Sequence, residues 1–337
     1  MMPTLKSLLK SDPTEWLLET DNPSVRYLTL TKILEESPSS EEVVKARLDI
    51  MKSGMVPEIL RFQNTDGFWG EQKKFYSSKY TGTVWQLMIL AELGADGNHP
   101  QIARACESIL QQSQEHETGG FSTYESAKTS GGLPGYVIPC LTGNMVWSLI
   151  RLGYLNDQRI QRGIDWINKY QRFDDGIETA PKGWPYDRYQ MCWGKHSCHM
   201  GIVKSMKALA EIPLRLQSEA TQRTIGHGVE YLLAHHIYKK SHDLNSVSKP
   251  GWLKLGFPLM YQSDILEILL ILAQLNFRDK RMQDAIDIVL SKQDEQGRWS
   301  LENSYNGKLN VNIEKKGKPS KWITLNALRV LKYFYGE

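Results

Sequence analysis

Residues 63–69 read QNTDGFW, and residues 293–299 read QDEQGRW. Both segments have the form Q-x-x-x-G-x-W, and each follows an amphipathic stretch with helical periodicity. Glycine can leave a helix through a backbone conformation that residues with a β-carbon resist. The glutamine amide can bond free backbone groups at the helix end, and the tryptophan can pack over the turn. We therefore interpret the motif as a structural turn between two helices.

Two weaker copies of this turn lie between the full motifs. One runs from Gln114 to Gly120, and the other runs from Gln171 to Gly176. The glycines Gly67, Gly120 and Gly176 are spaced by 53 and 56 residues, which is long enough for two helices and two connections. A period of this size is typical of a repeat architecture.

Helical periodicity predicts two alternating sets of helices. The first set carries many charges and covers residues 4–19, 41–61, 99–114, 158–171, 218–237 and 279–293. The second set is more apolar and richer in small residues, as expected of helices buried on most sides. It covers residues 23–35, 81–94, 141–153, 198–211, 261–276 and 321–334. With almost no strand signals, the sequence predicts an all-α fold, an (α/α)6 toroid with inner and outer helix rings. Residues 1–337 would form one domain of about six helix-hairpin repeats.

Composition narrows the classes of function. Of the 337 residues, 41 are Lys or Arg and 38 are Asp or Glu, a balance that argues against a nucleic-acid partner. No apolar run approaches the ~18 residues of a membrane span, and the first residues do not resemble a signal peptide. Four cysteines without an export signal indicate a reducing compartment. We expect a cytoplasmic protein without an integral membrane segment, and the sequence leaves its oligomeric state open.

The Q-x-x-x-G-x-W repeats in this helix-pair setting resemble those of the squalene-hopene cyclase and protein prenyltransferase superfamily. The resemblance covers nearly the whole chain, and it implies a terpenoid cyclase-like toroid with an active site in its central cavity. It also implies an apolar, isoprenoid-like small-molecule substrate. Class II terpene cyclases protonate their substrate through a D-x-D-D motif, which this chain lacks. The nearest acidic segment, residues 174–178, lies in a repeat turn, where Asp and Gly are ordinary.

Two cysteines occupy equivalent places on successive inner helices. Cys140 lies three residues before Gly143, and Cys198 lies three residues before Gly201. Packed helices lie roughly 8–10 Å apart, so the two sulfur atoms can converge. The sequence leaves three possibilities open for them: a metal site, buried free thiols, or a disulfide between Cys140 and Cys198.

Further zinc-binding residue types surround Cys198. Tetrahedral zinc accepts mixed cysteine and histidine ligands, and free N–H groups at helix N-termini favour thiolate. The best ligand set is Cys140, Cys192, His196 and Cys198, and His199 could replace His196 or Cys192. Four protein ligands usually make a structural site, whereas three leave a position for substrate or water. The spacing is compatible with both.

The resemblance adds two partial matches to known zinc sites. Protein prenyltransferases hold zinc through Asp, Cys and His, and His196-Ser-Cys198 resembles the stretch with their His ligand. Lanthionine-forming cyclases use one Cys and a Cys-His pair followed by Gly, and Cys140 with Cys198-His199 resembles that set. In this chain Met200 separates the Cys-His pair from Gly201. Neither of the two patterns matches fully.

The same alignment places Tyr261 and Asp264 at the start of the next inner helix. A carboxylate on such an apolar helix is a candidate acid or base, and Tyr261 beside it is a second candidate catalytic residue. The alternative for Asp264 is a helix cap. We therefore expect a zinc-dependent transferase or cyclase that acts on an isoprenoid. The alternatives are a non-catalytic ligand-binding toroid with structural zinc, and a zinc-dependent thiol-modifying cyclase.

Overall fold

The computed structural model describes residues 4–128 and 130–336, and 51% of the chain is helical. The α-helices in these ranges are α1 Leu5–Leu8, α2 Thr14–Leu17, α3 Pro23–Leu28, α4 Glu41–Lys52, α5 Met55–Leu60, α6 Thr83–Glu92, α7 Pro100–Gln112, α8 Pro139–Arg151, α9 Gln158–Tyr170, α10 Gln190–Trp193, α11 His199–Ala210, α12 Glu219–Ala234, α13 Ile265–Gln274, α14 Gln283–Ser291 and α15 Lys321–Tyr335. The strands β1 Lys239–Lys240 and β2 Asp243–Val247 form a small antiparallel hairpin that the sequence did not predict. The predicted helical class is confirmed, and the closed (α/α)6 ring stays a prediction. No helix in the described ranges is both long enough and apolar enough to cross a membrane.

The chain divides into two compact units. Unit 2 comprises Phe62–Tyr231 and Met260–Gln262. Unit 1 comprises the other described residues, which are 4–61, Leu232–Leu259 and 263–336. In unit 1, α15 packs against α13 and also against α3, so both ends of the chain share one core. In unit 2, α8 packs along α11 and also contacts α6 and α9. Gly143 allows this close approach, because a β-carbon there would lie 2.5 Å from the carbonyl carbon of Lys204.

The glutamine of the repeat motif ties its turn to another helix. Nε2 of Gln63 donates a hydrogen bond to the carbonyl oxygen of Gln101 in α7, at 2.8 Å. Gln114 makes the equivalent bond to α9. Nε2 of Gln293 donates to the carbonyl oxygen of Leu8, near the other end of the chain, at 3.1 Å. The predicted structural role of this glutamine is therefore confirmed.

The glycines of the motif combine a left-handed backbone with a close helix contact. Gly67 has φ +94°, and a β-carbon there would lie 2.7 Å from Cβ of Arg104. Gly119 and Gly297 also have positive φ angles, of 88° and 69°, and equally close neighbours. In the second copy of the turn, Gly119 therefore holds the left-handed position, and Gly120 does not. Any other residue at these positions would be strained and would push the neighbouring backbone away, which belongs to a helix beside Gly67 and Gly119 and to the connection at Ser11 beside Gly297.

The aromatic residue of the motif fixes the turn to the inner helix. The amide of Trp69 donates to Oγ1 of Thr83 at 3.2 Å, and the amide of Trp299 donates to Oγ1 of Thr324 at 3.0 Å. Phe121 makes the same bond in its repeat. Both tryptophans are fully buried. In these three copies the motif therefore holds together the helix before it, the turn and an apolar helix of the second set.

Some predicted helices are shorter than expected. The helix predicted over residues 41–61 is broken at Gly54, which has φ +74° and separates α4 from α5. The stretch predicted over residues 4–19 contains the two short helices α1 and α2. The helix predicted over residues 261–276 begins only at Ile265. In each case a turn or a cap sets the boundary, and hydrophobic periodicity does not detect either of them.

Candidate functional site

The turn around Gly176 departs from the other copies of the repeat. Nε2 of Gln171 donates to the carbonyl oxygen of its neighbour Arg172 at 2.7 Å. The equivalent glutamines Gln63 and Gln114 donate instead to a carbonyl oxygen in the next helix of the charged set. The amide of Gly176 donates to the carbonyl oxygen of Lys195 at 3.2 Å, and the amide of Ser197 donates back to this turn at 2.8 Å. The turn therefore holds the segment that leads into Cys198. Local departures from a rule that a protein otherwise follows are expected at functional sites.

Three cysteines of unit 2 gather beside this turn. The thiols of Cys192 and Cys198 are hydrogen-bonded to each other, and Cys140 is near enough to both for their charges to interact. The amide of Cys198 also donates to the carbonyl oxygen of Cys192 at 3.4 Å. Cys192 is 8% exposed, whereas Cys140 and Cys198 are only partly buried. The structure thus brings two of the predicted zinc ligands, Cys192 and Cys198, into contact and leaves Cys140 within electrostatic range of them.

Two of these thiols hold their protons tightly. Burial, and to a smaller extent the nearby Cys198, raises the pKa of Cys140 to about 12. The amide of Leu141 and the buried ammonium of Lys204 act in the opposite direction. The pKa of Cys192 is raised first by its hydrogen bond to Cys198 and then by burial. Cys140 and Cys192 are therefore neutral thiols near pH 7 in the absence of a bound cation.

The two histidines of the predicted ligand set have other neighbours. Nδ1 of His196 lies 3.4 Å from Oδ1 of Asp175, and the His196 side chain is 65% exposed. His199 opens α11, and its ring centroid lies 5.6 Å from that of Tyr231. In the described part of the chain, no group of three or more His, Cys, Asp or Glu side chains is arranged to hold a metal ion. The structure therefore gathers the thiols without gathering the complete ligand set.

Four aromatic side chains of unit 2 form a cluster, which we call the tyrosine cluster: Tyr76, Tyr80, Trp85 and Tyr261. The hydroxyls of Tyr80 and Tyr261 are hydrogen-bonded at 3.0 Å, and their rings are stacked. The Trp85 ring lies 5.2 Å from Tyr76 and 6.0 Å from Tyr261, measured between centroids. Nζ of Lys79 lies 5.4 Å from the Tyr261 ring centroid. A predicted site residue, Tyr261, therefore has three aromatic partners that sequence reasoning did not identify.

One member of the tyrosine cluster, Tyr76, lies within electrostatic range of two of the thiols. The pKa of Tyr76 is raised mainly by burial, and then by the nearby charges of Cys140, Tyr261 and Cys192. Burial and the bond to Tyr261 raise the pKa of Tyr80 to about 12. Tyr80 is therefore a proton donor, and not a base, at neutral pH.

Strained backbone occurs on both sides of the cluster. Tyr80, Tyr189 and Met260 have φ angles of 73°, 55° and 51°, in the left-handed region that residues with a β-carbon rarely adopt. Such a conformation costs about 1 kcal/mol for each residue. Tyr189 precedes the helix that carries Cys192, and Met260 precedes Tyr261. Strain of this kind is common at functional sites, where the surroundings impose a particular side-chain position.

Asp264, the other predicted catalytic residue, is the N-cap of α13 in unit 1. Its Oδ1 accepts a hydrogen bond from the amide of Glu267 at 2.9 Å, and its Oδ2 accepts one from the amide of Gly256 at 2.8 Å. The side chain is buried. These bonds match the capping alternative, and a catalytic role for Asp264 stays a prediction.

Comparisons with known proteins give weak similarities. No family model matches the chain, and no curated protein matches it. The apo structure of the type II terpene cyclase MstE from Scytonema is 14% identical over 94% of this chain and 98% of that chain, with a TM-score of 0.43. A variant of MstE in complex with its substrate geranylgeranyl dihydroxybenzoate is 14% identical over 95% and 97%, with a TM-score of 0.40. A protein from Actinoplanes is 13% identical over 94% and 89%, with a TM-score of 0.45. The function is therefore proposed from the residues of the chain itself.

Proposed function

We propose that this chain is an enzyme that binds an apolar, isoprenoid-like molecule against the tyrosine cluster and transforms it beside the three thiols. The observation that carries the proposal is that these two groups lie in the same unit and interact electrostatically through Tyr76, while Cys198 follows the repeat turn that departs from the other copies. Aromatic faces bind apolar chains, and they stabilise a cation by about 0.5–2 kcal/mol each. The proposed reaction is a transfer or a cyclisation that does not use a D-x-D-D acid.

The hydroxyl pair supplies a proton donor to this site. In the bond between Tyr80 and Tyr261 one hydroxyl donates and the other accepts. The accepting hydroxyl keeps its own O–H, and this is the group that would donate to a substrate oxygen. The stacked rings fix the position of that donor, because neither phenol can turn without losing ring contact.

Zinc is the proposed cofactor, held by Cys140, Cys192 and Cys198. Thiolates are among the preferred ligands of zinc, and two of the three sulfurs already contact each other, so the donor chemistry fits. The three sulfurs would have to converge further to bind the ion, since the present arrangement of the described residues does not hold a metal ion. A bound zinc ion would supply Lewis-acid chemistry or bind a substrate thiol. With three protein ligands, His196 and His199 remain outside the proposed set.

The zinc part is tested by metal analysis of the full chain, purified without chelator. We expect about one zinc per chain, as for a single site. Cys140→Ser and Cys198→Ser should each remove most of it. Cys106→Ser is the matched control, since Cys106 is fully buried in α7, and it should keep the metal. Wild-type protein without zinc, even after incubation with zinc salts, would disprove a metal site.

The substrate part is tested by titration with geranylgeraniol, followed by the fluorescence of the tryptophans. We expect saturable binding, weakened about tenfold by Tyr261→Ala because an aromatic face is lost. Tyr261→Phe keeps the ring and should bind like the wild type. Tyr333→Ala is a control at a half-buried tyrosine in α15, which belongs to unit 1. Equal affinity of Tyr261→Ala and wild type would show that the tyrosine cluster is not the binding site.

A further inference from the structure

The thiols of Cys192 and Cys198 are already close enough to be joined. Their side chains are hydrogen-bonded, and the amide of Cys198 donates to the carbonyl oxygen of Cys192 at 3.4 Å. The single backbone bond places the two residues side by side, and the side-chain bond shows that the sulfurs face each other. Disulfides most often span about 5.5–6 Å between α-carbons. The bond can therefore form while α10 and α11 stay in place.

The two sulfurs differ in their access to solvent. Cys192 lies in α10 and is 8% exposed, next to Trp193, which is 1% exposed. Cys198 is the N-cap of α11 and is only partly buried. In thiol–disulfide exchange the accessible sulfur meets the external reagent, and the protected sulfur completes the reaction.

We propose that Cys192 and Cys198 form a reversible intramolecular disulfide, with Cys198 as the attacking sulfur and Cys192 as the resolving sulfur. The oxidant is a small disulfide such as oxidised glutathione. The Cys198 thiolate attacks one sulfur of glutathione disulfide, which forms a mixed disulfide and releases one glutathione. The Cys192 sulfur then attacks Cys198, which closes the protein disulfide and releases the second glutathione. The two protein thiols lose two electrons and two protons, and the two glutathione molecules receive them.

The other two cysteines are less suitable partners. The sulfur of Cys140 accepts a hydrogen bond from the amide of Leu141 in α8, and its interaction with Cys198 is electrostatic. Cys106 is fully buried in α7, where its side chain interacts with Tyr154. The pair Cys192–Cys198 is thus preferred over the pair Cys140–Cys198 that helix alignment alone suggests.

The disulfide would remove two of the three thiols from the site. Only this consequence rests on the proposed function; formation of the disulfide does not. Oxidation would then switch the site off, and reduction would restore it. The chain would respond to the thiol–disulfide balance of its surroundings without a change of fold.

The sequence allows a direct test, because trypsin places each cysteine on a different peptide. The four peptides are residues 105–128, 129–151, 189–195 and 196–204. The full chain is reduced, freed of metal with EDTA, treated with oxidised glutathione, alkylated, digested and analysed by mass spectrometry. We expect peptides 189–195 and 196–204 to be linked, and dithiothreitol to separate them.

Serine variants then test the order of attack. Cys192→Ser should accumulate glutathione on Cys198, because the resolving sulfur is gone. Cys198→Ser should leave Cys192 unmodified, because that sulfur is buried. Cys106→Ser should behave like the wild type. Thermal unfolding of each variant establishes that it is folded before its modification is interpreted.

Three results in the wild type would overturn the proposal. They are a link between peptides 129–151 and 196–204, glutathione on Cys198 that is never displaced, and no modification of either peptide. Because metal is removed first, failure here is independent of whether zinc binds. If zinc binds these sulfurs, adding it back should slow the linkage severalfold, and that comparison tests the proposed function alone.

Discussion

The helices that the sequence predicts for the inner ring begin in different ways in the two units. In unit 1 a side chain caps the N-terminus of each: the caps are Asn22 of α3, Asp264 of α13 and Ser320 of α15. In unit 2 the corresponding residues make no side-chain cap bond: they are Gly82 of α6, Ile138 of α8 and Cys198 of α11. A missing cap costs about 1 kcal/mol. The unit that lacks these caps is the one that holds the thiols and the tyrosine cluster.

The outer helices do not show this difference. Asp157 starts α9 in unit 2 and accepts from the amide and guanidinium of Arg159. Asp279 starts the corresponding segment of unit 1 and accepts in the same way from Arg281. The two units therefore share one kind of Asp–Arg cap on the helices of the charged set. They differ in the caps of the apolar set, whose members in unit 2 include the helices that carry Cys140 and Trp85. This suggests that unit 2 gives up stability at its inner helix starts in favour of reactive side chains.

Removing the buried cap of unit 1 should have the largest effect. Asp264→Ala leaves the amides of Glu267 and Gly256 without their acceptor, so we expect the free energy of unfolding to fall by about 3 kcal/mol. Urea unfolding measures it. Asp264→Asn keeps an acceptor oxygen and should lose clearly less. A small loss of unfolding free energy in Asp264→Ala would show that this cap contributes little to stability, and the capping difference between the units would then have no energetic meaning. Lost turnover in a stable Asp264→Asn would instead support the catalytic role predicted from sequence.

The shared outer caps should respond to pH in both units. Hydrogen bonds from Arg281 lower the pKa of Asp279 from 3.8 to about 2. Because the folded-state pKa is below the unfolded value, the stabilisation is complete above pH ~4 and is lost as the pH falls through ~2. At pH 7 Asp279→Asn should lower the free energy of unfolding by about 1 kcal/mol after solvent screening. The difference from wild type should shrink between pH 4 and 2.

Asp157→Asn is the matched variant in unit 2. The side chain of Arg159 lowers the pKa of Asp157, so its effect should have the same sign and the same acidic pH dependence. Urea unfolding from pH 7 down to pH 3 compares the two variants. If only one variant shows this pH dependence, Asp157 and Asp279 do not act as equivalent caps, and the two units do not share this kind of helix start.

The fold could be predicted because its signal is local. Within seven residues the motif holds the glutamine, the glycine and the aromatic residue, and each of them makes the same contact in several copies. Cysteines at equivalent places on successive inner helices were also visible, because small residues align those helices. Short-range patterns of this kind survive in a single sequence.

The rest of the site depends on contacts between distant residues. Tyr80 and Tyr261 are 181 residues apart, and no local pattern connects them. For Asp264, sequence offered both a cap and a catalyst, and only the direction of its carboxylate separates the two. For His196, proximity in sequence to Cys198 suggested a shared metal, whereas its ring lies beside Asp175. Side-chain orientation was the missing information in each case.

Installing a cap in unit 2 should have the smallest effect and the opposite sign. Serine is a better N-cap than cysteine, and in Cys198→Ser its hydroxyl can accept from the amide of Gly201. We expect the free energy of unfolding to rise by about 0.5 kcal/mol, while zinc content and disulfide formation are lost. Ser320→Cys makes the reverse exchange in unit 1 and should be destabilising, because the bond from the Ile323 amide is lost. If both variants are less stable than the wild type, the Cys198 thiol packs in a way that serine cannot, and capping does not explain the difference between the units.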